Sequence, residues 1–193
     1  MAPTDTLMSE EEYLVREPEA EYKSEFRDGR VVAMAGASLA HSVITGNMLG
    51  ELHGQLKGKP CKAYPSDLRI KVAAIRFYTY PDVSVVCGAP VEDHRLAGTI
   101  LNPTLLVEVL SPATAVYDRG QKFAHYKQLA SLRDYLLVAQ DSVRVEHFVL
   151  QQDRSWVATV LQSLDDVLEL ASIGCRVALR DIYEGVDVKG SGV

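Results

Sequence analysis

A single carboxylate, Glu108, interrupts the apolar run LLVEVL at residues 105–110. In a strand, Leu106, Glu108 and Leu110 share one face, and Leu105, Val107 and Val109 share the other. Both faces read as buried, so an ionised Glu108 needs a proton, a cationic partner or a metal ion. Upstream, TYPDVSVV places Asp82 directly after Pro81, at the start of a second apolar strand. Downstream, YDRGQKFAHYK carries Asp118 and Lys122 at i and i+4, a spacing that puts both on one helix face. Two carboxylates on neighbouring strands can share a divalent cation, and a lysine beside them can hold or activate an attacking water. That combination suits hydrolysis of a phosphodiester bond.

The elements that must position these groups follow from the pattern around them. SEEEYLVR opens with a capping box, Ser9 followed by Glu12, and predicts a short helix that ends near Pro18. KSEFRDGRVVAMAG predicts two strands joined by an Asp28-Gly29 turn. Val43, Ile44, Met48, Leu49, Leu52 and Leu56 recur at close to 3.6 residues and predict an amphipathic helix over 39–56. CKAYPSDLRIKV, FYTYPDVSVV and TLLVEVLS are strand-like, and YDRGQKFAHYKQLA reads as a helix with Phe123, Tyr126 and Leu129 on its apolar stripe. DYLLVAQDSVRVEHFVL predicts two strands around Gln140-Asp141, SWVATVLQ another, and VALRDIYEGV a last helical turn. This order describes one α/β (α+β) domain over 9–185, a mixed sheet flanked by helices, with flexible ends at 1–8 and 186–193.

In sequence order, EFRDGRVVAM, YPDVSVV, LLVEVLSPAT, YDRGQKFAHY and DYLLV resemble the Uma-type family of restriction-endonuclease-like proteins, a branch of the PD-(D/E)XK nuclease superfamily. The likeness spans roughly residues 9 to 185. It implies a restriction-endonuclease-like fold and an endonuclease that hydrolyses DNA with Mg²⁺ (or Mn²⁺). It makes Asp82 the acid of the P-D element, Glu108 the following acid and Glu25 the acid ahead of the first hairpin turn. These three become the implied metal ligands, with Glu25 holding a second ion or orienting water. The superfamily's plain E-x-K would place lysine at 110, where the chain has leucine. In the Uma-type branch the lysine sits on the following helix, which points to Lys122. Small nucleases of this superfamily often act as homodimers, because cutting both strands needs two sites.

Each residue also has a structural alternative. Glu108 pairs with an arginine such as Arg119, Asp82 makes a local strand-entry bond, and Asp118 with Lys122 forms a helical ion pair of small energetic value. His41 and His125 are accessory candidates that face the site, or else helix-surface residues. Arg119, Lys127 and Arg133 form a modest basic rim, or a solvated helix face. At the level of the whole chain, the alternative to a nuclease is a non-catalytic nucleic-acid or protein interaction module on the same fold. A two-carboxylate glycosidase is disfavoured by the lysine.

Composition sets the outer bounds. The 193 residues carry a net charge of −6, which argues against binding nucleic acid through bulk electrostatics but allows a local basic groove. The N-terminal MAPTDTL lacks the features of a signal peptide, and no apolar run reaches membrane-span length, so a cytoplasmic protein without membrane association is expected. Cys61, Cys87 and Cys175 are widely spaced, odd in number and without a C-x-x-C pair. They are expected to be separate, buried thiols in a reducing compartment.

Overall fold

The computed structural model describes residues 6–34 and 36–188. Along the chain come β1 (Thr6–Leu7), α1 (Glu10–Arg16), β2 (Ser24–Arg27), β3 (Arg30–Ala33), α2 (Leu39–Leu56), β4 (Cys61–Pro65), β5 (Arg69–Val72), β6 (Phe77–Thr79), β7 (Val83–Cys87), β8 (Thr99–Ile100) and β9 (Leu105–Leu110). They are followed by α3 (Ala115–Tyr117), a π-helical turn (Asp118–Lys122), α4 (Phe123–Tyr126), β10 (Asp134–Ala139), β11 (Val145–Leu150), β12 (Trp156–Leu161), β13 (Val167–Leu170), β14 (Cys175–Ala178) and α5 (Leu179–Ile182). The capping box at Ser9 and Glu12 forms as its sequence predicts. So does the hairpin of β2 and β3 around Asp28 and Gly29, both at positive φ.

The central sheet runs β12-β11-β10-β9-β7-β4. Its β9 and β10 are parallel and its other neighbours antiparallel, so the sheet is mixed. All six residues of β9 are buried, as expected for a strand covered on both faces. Leu105, Val107 and Val109 enter a core that α2 closes through Ile44, Met48, Leu52 and Leu56. Leu106 and Leu110 enter a second core with Phe123, Tyr126 and Tyr135. Glu108 lies on this second side.

A second sheet, β1-β3-β2-β6-β5-β8, and a β13–β14 hairpin complete the domain. The sheet switches are where the structure departs from the sequence pattern. CKAYPSDLRIKV forms two strands, β4 in the central sheet and β5 in the second. FYTYPDVSVV likewise divides into β6 and β7, again in different sheets. Both breaks coincide with a proline, Pro65 or Pro81, whose missing N–H suits a strand end and not an interior. The β13–β14 hairpin was not anticipated either.

The ends also differ in detail. Thr6 and Leu7 pair with Val31 and Arg30, and Val188 is buried against the core. Residues 1–5 and 189–193 of the two expected tails lie outside the described residues. Among the described residues no helix is long and apolar enough to cross a membrane.

The cysteine expectation is overturned for two of the three. Cys61 and Cys87 face each other across the antiparallel β4–β7 pair and form a disulfide, while Cys175 is a buried free thiol. The pairing comes from strand register, which spacing along the chain does not reveal. The bond closes a loop of 26 residues. Reduction should therefore lower unfolding free energy by about 3 kcal/mol. Urea unfolding of wild type and Cys61→Ser/Cys87→Ser, with and without reductant, checks this, and reductant should shift only the wild type.

Candidate active site

The central group is Lys122. Its Nζ lies 2.8 Å from Glu108 Oε1, 3.0 Å from Glu25 Oε1 and 3.7 Å from Asp118 Oδ1. The side chain is only 5% exposed, and those of Glu108, Glu25 and Asp118 are 6%, 12% and 4% exposed. Lys122 reaches this position from the π-helical turn that joins α3 to α4. A π turn bonds i to i+5 and so inserts extra backbone into the helix, which is common at functional positions. Here it turns Asp118 and Lys122 together toward the sheet, where an ordinary exposed helical pair would sit in solvent.

Asp82 arrives from the other side. The β7–β9 register pairs Val83 with Val107, and continuing it sets Asp82 opposite Glu108. The Asp82 carboxylate accepts a hydrogen bond from the Val109 N–H at 2.7 Å and lies 3.2 Å from His41 Nε2. His41 occupies the first turn of α2, where its own N–H donates to the Ser38 cap. Asp82 thus stands just before β7, near enough for its charge to act on Glu108.

Tyrosine hydroxyls orient the acids. Tyr126 donates to Glu108 Oε1 at 2.7 Å, Tyr117 donates to Glu25 Oε2 at 3.0 Å, and Thr79 donates to Glu25 Oε1 at 2.5 Å. None of these three was singled out from the sequence. Tyr126 stood on the apolar stripe, and the available signal was its hydroxyl, which a buried position requires to be bonded.

The electrostatics follow from burial and company. Burial pushes the Glu108 carboxyl well above the usual range, and nearby Asp118 and Asp82 push it the same way against the opposing pull of Lys122. Asp118 is raised, chiefly by burial. For Lys122 burial works against the charge, but Glu108, Glu25 and Asp118 together hold its pKa well above the ordinary value. Glu25 is also desolvated, yet Lys122 and the bonds from Thr79 and Tyr117 bring it below the usual range. Burial opposes protonation of His41, but bonding to Asp82 raises its pKa. Glu108, Glu25 and Asp118 thus gather around Lys122, and Asp82 pairs with His41.

Other expectations are redistributed. Glu108 does not pair with Arg119, which bonds to Glu146 at 2.8 Å. The helical pair of Asp118 and Lys122 is buried and not solvent-exposed. His125 does not join the carboxylates; its ring packs on Phe77 at 4.9 Å. The suggested basic rim is dispersed, because Lys127 lies over Phe123 and Arg133 donates to the carbonyls of Ala130 and Leu132. Among the described residues no three His, Cys, Asp or Glu side chains form a metal-holding group as they stand. The donor chemistry nonetheless fits a hard cation, since carboxylate oxygens are the ligands Mg²⁺ and Mn²⁺ prefer. Glu108 Oε2 and Asp82 Oδ1 make no hydrogen bond or ion pair among the described residues, whereas both Glu25 oxygens are engaged.

Residues 10–180 match the family described as "Uma2: Putative restriction endonuclease". The chain belongs to the Uma2 family. Two Synechocystis proteins are similar along nearly their whole length. The uncharacterized protein slr1290 is 41% identical over 179 residues, covering 93% of each chain. The uncharacterized protein sll1609 is 35% identical over 168 residues, covering 87% of this chain and 95% of the other. The fold matches the crystal structure of a protein described as a putative nuclease from Anabaena variabilis, with TM-score 0.74 and 19% identity over 91% of this chain and 97% of that one. The mixed-sheet, helix-flanked architecture is thus that of an Uma2 protein and of a nuclease-like fold.

Removing the Lys122 charge should be costly to this Uma2 fold. Lys122→Ala leaves Glu108, Glu25 and Asp118 without their shared cation and should destabilise by about 3–5 kcal/mol at pH 7. The orphaned carboxyls then have folded pKa values above their unfolded ones. Their penalty is therefore smallest below the unfolded range, near pH 4, and grows as pH rises through the folded values. Urea unfolding at pH 5 and pH 7 should show a smaller loss at pH 5. Lys122→Met/Glu108→Gln should recover part of the loss at pH 7.

Proposed function

We propose that this Uma2 protein is a divalent-metal-dependent endonuclease that hydrolyses phosphodiester bonds in DNA, with Mg²⁺ (or Mn²⁺) as its ion. The observation that carries the reading is the buried Lys122 ammonium beside Glu108, with Asp82 immediately before the adjoining strand. Its support in the comparisons is the family description and the nuclease-like fold. Proteins of restriction-endonuclease-like type generally use divalent metals.

Asp82 and Glu108 are the side chains that would hold the ion, through the carboxylate oxygens left without partners. A divalent ion there supplies Lewis-acid polarisation of a phosphate oxygen and a lowered pKa for a bound water. Lys122 contributes a fixed positive charge in a water-poor setting, where it favours negative charge developing on the phosphate without needing to reorganise. Glu25 keeps the ammonium charged and aimed, with Thr79 and Tyr117 fixing the Glu25 carboxylate in turn. Holding a second ion is the lesser role for Glu25, because both its oxygens are already used. Tyr126 orients Glu108, and His41 holds Asp82 while it is charged. Asp118 adds negative charge behind the lysine. Two such sites in a homodimer would allow both DNA strands to be cut.

Mn²⁺ calorimetry and plasmid nicking test this reading together. Asp82→Asn and Glu108→Gln should lose Mn²⁺ binding and nicking. Lys122→Ala, assayed where it is folded, should still bind Mn²⁺ but nick about 10²–10³-fold more slowly. Lys122→Arg should restore little, because a planar fork does not reproduce a point charge. Unchanged nicking in Lys122→Ala would remove the lysine assignment. Metal binding with no nicking of any DNA would favour a non-catalytic interaction module.

A further inference from the structure

We infer that the cavity between the β2–β3 turn, the β5–β6 connection and α4 binds a DNA backbone phosphate adjoining the one at Lys122. This inference rests on the nuclease reading and adds to it a place where the substrate's backbone is gripped. The cavity has a volume of about 400 Å³, and Arg27, Arg76, His125 and Gln128 line it together with Asp28.

Two elements that carry residues of the acid cluster also carry residues of the cavity lining. On β2, Glu25 and Arg27 alternate with buried Phe26 and so project from the same face, about 7 Å apart. On the helical segment, His125 follows Lys122 by three residues, about one turn. Tyr117 ties the two places physically: its hydroxyl donates to Glu25, and the Arg27 guanidinium lies 4.9 Å from its ring centre. A strand of nucleic acid with one phosphate at Lys122 therefore has this cavity alongside it.

The lining has the chemistry of an anion site. Arg27 spends one N–H on Gln121 at 2.9 Å, and among the described residues no carboxylate pairs with it. Arg76 is exposed and makes no ion pair among the described residues. Guanidinium groups are the side chains best matched to phosphate geometry. His125 Nδ1 is buried and has no hydrogen-bond partner among the described residues. With the ring proton on Nε2, Nδ1 is the bare nitrogen and Nε2 is a donor. Burial and the Arg27 charge lower the His125 pKa, so the ring joins as a neutral donor.

The backbone is also unusual here. Three described non-glycine residues have positive φ, and two of them, Asp28 at 47° and Arg76 at 49°, line this cavity. Aspartate tolerates that conformation well, whereas for arginine it is uncommon and directs the side chain from a tight turn. The exposed Asp28 carboxylate is the one opposing charge, and it weakens the site.

The test is binding of a fluorescent duplex DNA by anisotropy, in chelator so that no cutting occurs, across a series of salt concentrations. Arg76→Ala should weaken binding about tenfold and lower the salt slope by about one. Asp28→Asn keeps the turn conformation, removes the opposing charge and should tighten binding about two- to threefold. Wild-type affinity and slope in Arg76→Ala and in Arg76→Glu would overturn the inference, as would a wild type that does not bind DNA. Because the readout needs no cleavage, the two readings fail separately. Weaker binding by Arg76→Ala in a protein that never nicks DNA keeps the phosphate site, and robust nicking with no effect at Arg76 removes it.

Discussion

A lysine ammonium buried among carboxylates is the constraint on which the rest of the structure turns. Glu108 sits in the middle of β9, with apolar neighbours on both faces, and its charge is tolerable there only beside another of opposite sign. Lys122 meets that need from a helix and not from the same strand. The helix must therefore be drawn tightly onto the sheet, and the π-helical turn, the Tyr126 bond to Glu108 and the stacking of Phe123 on Tyr135 are how this is done. Glu25 completes the arrangement by bringing the second sheet to the same ammonium.

Much of the framework was legible because it obeys simple periods. The helix over 39–56 forms with those bounds, and its buried residues Ile44, Met48, Leu52 and Leu56 all belong to the predicted stripe. The Asp28-Gly29 turn and the doubly buried β9 were equally direct, since turn chemistry and an unbroken apolar run act locally. The sheet switches at Pro65 and Pro81 were not. Each proline was visible, but whether the strand after it rejoins the same sheet depends on partners far away in sequence.

The same distinction governs the candidate site. Asp82, Glu108 and Lys122 could be named because an acid in an apolar strand and a D-x-x-x-K helix pattern are conspicuous, and the family resemblance supplied Glu25. What spacing along the chain could not show was company. Arg119 turned to Glu146, His125 turned to Phe77, and Cys61 found Cys87 through strand register. Arg27 and Arg76, nearly fifty residues apart, line one cavity only because β2 and β5 flank β6.

The switch at Tyr80, Pro81 and Asp82 carries a consequence for when the acid cluster exists. Glu25 belongs to one sheet, Glu108 to the other, and Asp82 stands on the short crossing between them, while Lys122 comes later in the chain from the helix laid over both. No fragment that contains one sheet contains the set. A nascent or half-folded chain with only the central sheet in place can pair Lys122 with Glu108 and Asp118, but it lacks the Glu25 carboxylate until the second sheet docks.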